Sequence, residues 1–383
     1  MDFDLRELEP LRTEVREFLA SAWSRDLKLR ADRGEAYAEE VALRRELGRR
    51  GWLAPSWSTA RGGGGRSFWE SVVISEEFQY AGVHSGSTAV SVVGPTLEMV
   101  GSEEQKQRFL PAIARGEIDF ALGYTEPDAG SDLASLKTRA VRDGDEFVIN
   151  GAKVFTSLAT RAEYCWLAAR TDPDAPKHRG ISVFIVDMKS AGIDVRPLWT
   201  MGERRTNATF WEEVRVPAAN LIGELNRGWY YISSALDLER LAYYCPHKVE
   251  YLFDQLTDYL NAPESREVRE DPAVRAAVAR NFTELTVAKV LYWRAASMIA
   301  HGSVPNYEAS MTKLFQTELL QRMSLDGTRV LGAAGQLTPE AAEAPMHGLF
   351  EFEHRYHVYE TFGGGSSELM RNIIATRGMG LPR

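Results

Sequence analysis

The segment TEPDAGSD, at residues 125–132, is a short polar turn built from small and hydroxyl-bearing residues. Gly130 and Ser131 offer successive backbone N–H groups, and such groups bind anions. A second glycine run, ARGGGGRS at 60–67, lacks the preceding strand and the following Lys-Ser/Thr of a phosphate-binding loop, so we interpret it as a flexible connector. The first segment therefore predicts a ligand-binding turn, and the second does not.

The composition argues against several other kinds of chemistry. Cys165 and Cys245 lie in unrelated segments and predict neither a disulfide framework nor a metal site. The formal net charge of -9 gives no basic surface for nucleic acid. No stretch reaches about 18 uninterrupted apolar residues, and the acidic, amphipathic start lacks signal-peptide features. We therefore expect no membrane span and a cytoplasmic protein.

The sequence patterns divide the chain of 383 residues into three predicted domains. Residues 1–118 form an N-terminal α-helical domain, in which apolar residues recur every three or four positions from Leu5 to Leu19. Residues 119–228 hold short segments rich in β-branched and aromatic residues, which predict a middle antiparallel β-domain. Residues 229–383 return to long helical patterns, typical of a C-terminal α-helical bundle. The predicted fold class is α+β.

Six segments resemble the acyl-CoA dehydrogenase family in their order and spacing, and together they cover nearly the whole chain. They are the turn at 125–132, GSEEQKQRFLPAIARGE (101–117), INGAKVFTS (149–157), RVPAANLIGELNRGW (215–229), LDLER (236–240) and GGGSSELMRNIIATRGMGLPR (363–383). The resemblance implies the family fold and a flavin enzyme. In the family reaction, a carboxylate takes a proton from the α carbon of an acyl-CoA while FAD takes a hydride from the β carbon.

The resemblance also implies which residues contact FAD. Phe155 occupies the position where the family usually places Trp against the flavin ring, and Phe keeps the stacking surface but loses the indole donor. Without the family context, a plain sheet-core role is the favoured interpretation of Phe155. The other implied cofactor contacts are Thr125, Gly130, Ser131, Thr156, Ser157, Gly365, Ser366 and Glu368.

The catalytic base is the point at which this chain departs from many family members. Their base lies in a C-terminal YEGT-like motif, and alignment backwards from Arg371 places Gly364 at that position. Gly364 has no side chain to act as a base, so the resemblance assigns it the backbone N–H that binds the thioester carbonyl. Glu360 in HVYETF lies about one helical turn too early, and we interpret it as a decoy.

Glu239 in LDLER matches the alternative base position of isovaleryl-CoA and long-chain dehydrogenases. We favour this catalytic interpretation, although an exposed helix Glu paired with a neighbouring Arg is the alternative. By the same resemblance, Asp237 and Arg240 contact the substrate together with Ser131. A solvated helix start explains Asp237 and Arg240 equally well.

Part of the family's pattern is absent from this chain. Family homotetramers use an R-x-Q-F-G motif to reach a neighbouring subunit's FAD. The corresponding segment of this chain, SREVREDP (265–272), keeps only Arg266 of that motif. It also adds acidic residues, which repel a pyrophosphate. Arg329 stands at the Gln position of the family's later Q-x-x-G-G motif. This pattern resembles chains of bacterial steroid side-chain α2β2 dehydrogenases, so the expected partner is a related chain, with self-association as the alternative.

Three functions stay open from the sequence. The first is an active dehydrogenase subunit with Glu239 as base, acting on a bulky or branched acyl-CoA such as a steroid side-chain ester, because Gly364 removes a side chain beside the acyl group. The second is a non-catalytic partner subunit, and the third is an acyl-CoA oxidase-like flavoenzyme. An electron-transfer flavoprotein is the acceptor that the family resemblance implies.

Overall fold

The structure, a computed structural model, describes residues 5–83 and 88–382, apart from the side chains of residues 32 and 237–243. The described chain forms two compact units. The sheet unit contains residues 25–67 and 88–239, and the helical unit contains residues 5–24, 68–83 and 240–382. The N-terminal helices of the sequence are thus shared between the two units, which helical periodicity alone does not indicate.

The sheet unit contains short helices before the sheet and one long helix after it. Its α-helices are α2 Arg25–Asp32, α3 Tyr37–Arg49, α5 Gly94–Val100, α6 Glu103–Ala114 and the first part of α7 Gly228–Tyr243. Ser102 begins α6 with a capping box, because its hydroxyl accepts from the Gln105 N–H and the Gln105 side chain accepts from the Ser102 N–H. A π-helical turn, Ala89–Val93, precedes α5.

One seven-stranded sheet follows, in the order β1-β4-β2-β3-β7-β6 with β5 beside β4. Its strands are β1 Phe120–Gly123, β2 Arg139–Asp143, β3 Glu146–Lys153, β4 Tyr164–Arg170, β5 Ile181–Asp187, β6 Ile193–Trp199 and β7 Arg205–Pro217. The predicted β-domain is confirmed, with one addition: β4 pairs in parallel with β1 and β2. The β2–β3 hairpin intervenes before β4, so β4 returns in the direction of β1.

The sheet is buried on both faces at β4 and β5. Trp166 and Ile185 pack on one side with the helices, whereas Leu167 and Phe184 pack on the other side with β3 and β7. β1 and β3 end at Gly123 and Lys153, immediately before the segments that the sequence assigns to the cofactor. The sheet core therefore fixes the ends of the strands that carry those segments.

The helical unit is organised around α11, which packs against α8, α10, α12 and α13. Its α-helices are α1 Glu9–Ala22, α4 Phe68–Ala81, the last part of α7, α8 His247–Asn261, α9 Arg266–Glu270, α10 Pro272–Ala300, α11 Tyr307–Val330, α12 Leu349–Tyr356 and α13 Ser367–Ile373. The predicted apolar stripe lies on α1, where Val15 and Leu19 are buried. No helix in the described part of the chain is long and apolar enough to span a membrane.

The glycine run at 60–67 is closely packed, and its interpretation as a flexible connector is wrong in this respect. A Cβ at Gly63 would lie 2.4 Å from the Cβ and carbonyl oxygen of Trp57, and one at Gly64 would lie 2.4 Å from the Gly51 carbonyl oxygen. Gly94 leaves room for the same Trp57 ring, since its Cβ would lie 2.0 Å away. Gly63 and Gly64 thus allow close approach between backbone segments, and Gly94 allows close approach of the Trp57 ring. The loop pattern in the sequence does not reveal these contacts.

Candidate functional site

The two cofactor segments of the sheet unit lie side by side. The Val154 N–H donates to the Thr125 carbonyl at 2.9 Å, which joins the turn after β1 to the segment after β3. Reciprocal 3.1 Å hydrogen bonds between Glu126 and Ala129 close that turn. Gly130 is exposed, and a Cβ there would meet no atom within 4 Å, so its surroundings are open. The structure thus places Thr125 beside the segment that carries Phe155, Thr156 and Ser157.

A buried ion pair stabilises this junction. Lys153 is fully buried, and its Nζ donates to Glu126 Oε1 at 2.8 Å and to the Tyr124 carbonyl at 3.1 Å. The same carboxylate accepts from the backbone N–H groups of Lys137 at 2.6 Å and Thr138 at 2.9 Å. Glu126 therefore ties the turn to the residues just before β2 and to the end of β3.

The charges of this pair follow from its contacts. Burial acts to raise the pKa of Glu126, but the Lys153 charge and the donated hydrogen bonds outweigh burial and hold that pKa below its usual value. Burial lowers the pKa of Lys153 to about 8. Both groups are thus charged at neutral pH, and each neutralises the other.

The segment after β3 holds Phe155 in an uncommon backbone conformation. Phe155 has φ 57° and Leu158 has φ 68°, in the left-handed region that non-glycine residues seldom adopt. The Phe155 side chain is 60% exposed, which excludes the sheet-core interpretation. Such backbone strain in a surface aromatic is typical of ligand contacts.

Asn207 on β7 holds the strained segment in place. The Thr156 N–H donates to the Asn207 carbonyl at 2.9 Å, and Asn207 Nδ2 donates back to the Thr156 carbonyl at 3.0 Å. The Ser157 hydroxyl lies 3.1 Å from the Thr206 hydroxyl, and buried Thr156 lies 3.4 Å from Thr209 Oγ1. Asn207 Oδ1 is buried and has no hydrogen-bond partner among the described residues. The hydroxyls of Thr156 and Ser157 are thus oriented by β7.

The C-terminal glycine segment belongs to the helical unit and lies between a 3₁₀ turn and α13. Gly364 has φ 63° and Gly365 has φ 105°, so both positions favour glycine. The Tyr244 hydroxyl donates to the Gly363 carbonyl at 3.0 Å, and buried Lys313 Nζ donates to the Gly365 carbonyl at 2.6 Å. Two side chains therefore fix the backbone on either side of Gly364.

The predicted residues that follow this segment begin α13. Ser366 is the N-cap, and its hydroxyl accepts from the Leu369 N–H at 3.2 Å. Glu368 is exposed, and hydrogen bonds from its own backbone N–H and from the Ser366 hydroxyl lower its pKa. Both side chains thus serve the local helix start, and Glu368 keeps a charged, solvent-facing carboxylate.

Replacing Gly364 with Ala should lower the free energy of unfolding by about 1–2 kcal/mol or more, because a left-handed residue with a Cβ is strained. The added Cβ would also lie 2.6 Å from the Tyr244 hydroxyl oxygen. Gly363→Ala is the control, since its Cβ would lie no closer than 3.3 Å to the Tyr359 carbonyl oxygen. Denaturant unfolding should show a clearly smaller loss for the control, and equal losses would refute the steric argument.

Glu360 has a structural environment rather than a catalytic one. It is buried, and its Oε1 accepts from Lys248 Nζ at 2.6 Å while Oε2 lies 3.5 Å from His357 Nδ1. Burial acts to raise its pKa, but the Lys248 charge and the imidazole outweigh burial and hold this pKa well below its usual value. A carboxylate that is ion-paired and ionised so firmly is a poor proton acceptor.

The predicted base and its two neighbours fall on the part of α7 without described side chains. Glu239, Asp237 and Arg240 lie within the helix Gly228–Tyr243, and their side chains are outside the described residues. Ile232 and Ala235, earlier on this helix, are buried in the core of the sheet unit. The backbone assignment to a helix agrees with the sequence pattern, and the roles of the three side chains stay predictions.

The two arginines in the altered motifs have local partners. Arg266 on α9 is 74% exposed in its side chain and pairs with Glu270 at 3.0 Å, one helical turn away. Arg329 is also exposed and lies 3.8 Å from Asp326. Each arginine thus has an acidic neighbour within its own helix.

Several residues of this site were not predicted from the sequence. Lys153 and Glu126 lie in segments that resemble the family, but charged side chains usually lie on the surface. The two residues are 27 positions apart, and only the folded sheet brings them together as a buried pair. Asn207, Tyr244 and Lys313 contact backbone carbonyls distant in sequence, for which a single sequence carries no signal. The only hints in the sequence were the glutamate of TEP and the lysine of GAK, which lie inside segments that resemble the family.

Comparison with known proteins gives the family. Models of the N-terminal, middle and C-terminal domains of acyl-CoA dehydrogenases match residues 6–117, 121–214 and 226–379. Acyl-CoA dehydrogenase FadE26 of Mycobacterium tuberculosis is 38% identical, over 98% of this chain and 97% of that protein.

Two solved structures cover all of this chain and are themselves covered completely. One is the Tcur3481-Tcur3483 steroid ACAD, with a TM-score of 0.93 and 39% identity. The other is the ChsE4-ChsE5 complex from Mycobacterium tuberculosis, with a TM-score of 0.91 and 36% identity. The chain therefore belongs to the acyl-CoA dehydrogenase family and is an oxidoreductase of that class.

Proposed function

We propose that this chain is the catalytic, FAD-binding subunit of a heteromeric acyl-CoA dehydrogenase that converts a bulky or branched acyl-CoA to the 2-enoyl-CoA. A steroid side-chain ester is the candidate substrate, and the similarity of this chain to the Tcur3481-Tcur3483 steroid ACAD supports it. The observation that carries the proposal is Gly364, which has no side chain to act as a C-terminal base and whose left-handed backbone and closeness to Tyr244 disfavour one. Proton abstraction then falls to Glu239.

The described residues fit FAD as the cofactor. The exposed ring of Phe155 offers a flat aromatic surface, and the open space beside Gly130 admits a ligand against the backbone. The hydroxyls of Thr125, Thr156 and Ser157 lie on the two joined segments of the sheet unit. We assign Thr125, Gly130, Ser131, Phe155, Thr156, Ser157, Gly365, Ser366 and Glu368 to cofactor binding.

In the reaction, bound FAD would supply an acceptor for the hydride that leaves the β carbon. The chain's own residues would perform three further tasks. Glu239 accepts the α proton, so that the electrons of the C–H bond form the new double bond. The Gly364 N–H donates to the thioester carbonyl and stabilises the negative charge that develops on its oxygen. Asp237, Arg240 and Ser131 would position the CoA ester.

A substrate panel tests the proposed function. Purified enzyme should be assayed with straight-chain, branched and steroid side-chain CoA esters, using a dye as electron acceptor and mass spectrometry for loss of two hydrogens. We expect the highest kcat/KM for bulky esters, with enoyl-CoA as product. Hydrogen peroxide formation in place of dye reduction would favour the oxidase alternative.

We also propose that a second, related chain completes the cofactor site. Arg266 is exposed and paired with Glu270 within a short helix whose acidic residues would repel a pyrophosphate. The similarity of this chain to the ChsE4-ChsE5 complex is consistent with an assembly of two unlike chains. An electron-transfer flavoprotein remains the proposed acceptor of the electrons.

Expressed alone, this chain should therefore hold FAD substoichiometrically, because arginine contacts to the pyrophosphate would be missing. Co-expression with the related chain should raise bound FAD to one per shared site. Flavin absorbance against protein concentration, with mass measured by light scattering, gives both values. Full flavin occupancy in a pure homo-oligomer would rule out the heteromeric proposal.

A further inference from the structure

The hydrogen bond from Tyr244 acts on the same peptide group that carries the Gly364 N–H. The Tyr244 hydroxyl donates to the Gly363 carbonyl at 3.0 Å. That carbonyl and the Gly364 N–H are the two ends of one planar amide, whose electrons are shared between oxygen and nitrogen. Hydrogen bonds in a chain polarise one another, so a donor on the carbonyl makes the N–H a stronger donor.

Tyr244 is held in position for this contact. It is 5% exposed, which leaves its ring little freedom. Lys313 is fully buried, and its Nζ lies 5.6 Å from the Tyr244 ring centroid and 2.6 Å from the Gly365 carbonyl oxygen. The lysine thus links the tyrosine ring to the far side of the glycine segment.

The hydroxyl also occupies the space that a side chain at position 364 would enter. A Cβ on Gly364 would lie 2.6 Å from the hydroxyl oxygen and 3.4 Å from the ring carbon that bears it. The absence of a side chain at position 364 therefore allows the Tyr244 hydroxyl to pack against Gly364. The space freed by glycine is used by a hydrogen-bond donor.

We infer that Tyr244 is a positioning residue for the dehydrogenation, which orients the Gly363–Gly364 peptide and strengthens the Gly364 N–H as a donor to the thioester carbonyl. The inference rests on the proposed function, because the thioester is the acceptor. Lys313 supports it by fixing the tyrosine ring and the Gly365 carbonyl. Tyr244 itself does not touch the substrate in this arrangement.

Tyr244→Phe in the flavin-loaded complex tests the inference. The variant removes the neutral hydrogen bond to the Gly363 carbonyl, and its loss should lower kcat by at most roughly twofold to tenfold. KM should stay close to the wild-type value, because the contact strengthens as charge develops. Difference infrared spectra of bound, isotope-labelled enoyl-CoA should show the thioester carbonyl stretch at a higher frequency than in wild type.

Tyr80→Phe is the matched control, because the Tyr80 hydroxyl donates to Asp254 at 2.8 Å elsewhere in the helical unit. It should change thermal stability without moving the carbonyl frequency. If Tyr244→Phe does not fold, a ring-fluorinated tyrosine at position 244 keeps the hydroxyl as a stronger donor. That variant should lower the carbonyl frequency below the wild-type value.

An unchanged carbonyl frequency in either Tyr244 variant, with active wild-type enzyme, would overturn the inference alone. A frequency shift of equal size in Tyr80→Phe would also overturn it, since the effect would then be general. Wild-type complex that dehydrogenates no CoA ester would overturn the proposed function, and the inference with it. The infrared readout therefore separates the two failures.

Discussion

Replacing Glu239 with Gln should lower kcat by about 10²–10⁴-fold, because a positioned general base contributes that much to proton transfer. The amide keeps the size and hydrogen-bonding reach of the carboxylate but cannot accept the α proton. Bound FAD should be unchanged, since Glu239 has no proposed contact with the cofactor. Steady-state turnover with a dye acceptor and the flavin content of the purified variant give the two values.

Glu360→Gln is the control for this experiment. It removes the carboxylate that pairs with buried Lys248, so it should cost about 3–5 kcal/mol of stability. The fraction that remains folded should keep near-normal turnover. If Glu239→Gln retains turnover while Glu360→Gln abolishes it in folded protein, the assignment of the base is wrong. Retained turnover in both variants would favour a non-catalytic subunit, with the essential carboxylate on the partner chain.

Replacing Glu126 with Gln should lower the free energy of unfolding at pH 7 by about 3–5 kcal/mol, because the fully buried Lys153 would lose its ionised partner. The carboxylate also accepts two backbone hydrogen bonds, from Lys137 and Thr138, which an amide satisfies only in part. Chemical denaturation, followed by a spectroscopic signal of the sheet unit, measures the loss in the free energy of unfolding. Bound flavin should fall as well, since the Glu126 side chain ties the turn that carries Gly130 to Lys137, Thr138 and Lys153.

The pH dependence of this effect has a defined sign. Folding lowers the pKa of Glu126 below its usual value of 4.5, so the carboxylate stabilises the folded state above that pH. The stability difference between wild type and Glu126→Gln should therefore shrink as the pH falls below 4.5. Glu146→Gln, which removes an exposed ion pair with Arg215, should cost less than about 1 kcal/mol. Equal losses in both variants would contradict the role of burial.

The fold was largely predictable from the sequence because its signals are local. The apolar spacing from Leu5 to Leu19 predicts a helix, and α1 buries Val15 and Leu19 from that stripe. Short segments rich in β-branched and aromatic residues predict the strands. The parallel β1–β4 pair and the grouping of α1 and α4 with the C-terminal helices depend on contacts between distant segments. Local periodicity carries no information on such contacts.

The residues of the candidate site were predictable only where they lie in short sequence motifs. Gly130 stands out because it lies in a motif that matches the family, and Phe155 and Gly364 stand out because their residue types depart from the family pattern. Asn207 and Tyr244 act through carbonyls of Thr156 and Gly363, and Asn207 lies 51 residues from Thr156 while Tyr244 lies 119 residues from Gly363. Gly63 and Gly64 were equally unpredictable, because it is the folded positions of Trp57 and Gly51 that exclude a Cβ at these two residues.

The central claim is that this chain removes two hydrogens from an acyl-CoA with Glu239 as the base. Anaerobic mixing of the flavin-loaded complex with one equivalent of a bulky acyl-CoA tests it most directly, with flavin absorbance followed in time. We expect rapid bleaching of the flavin band in wild type, stoichiometric enoyl-CoA, and almost no bleaching in Glu239→Gln. An unbleached wild-type flavin, or equal bleaching in the variant, would contradict the account.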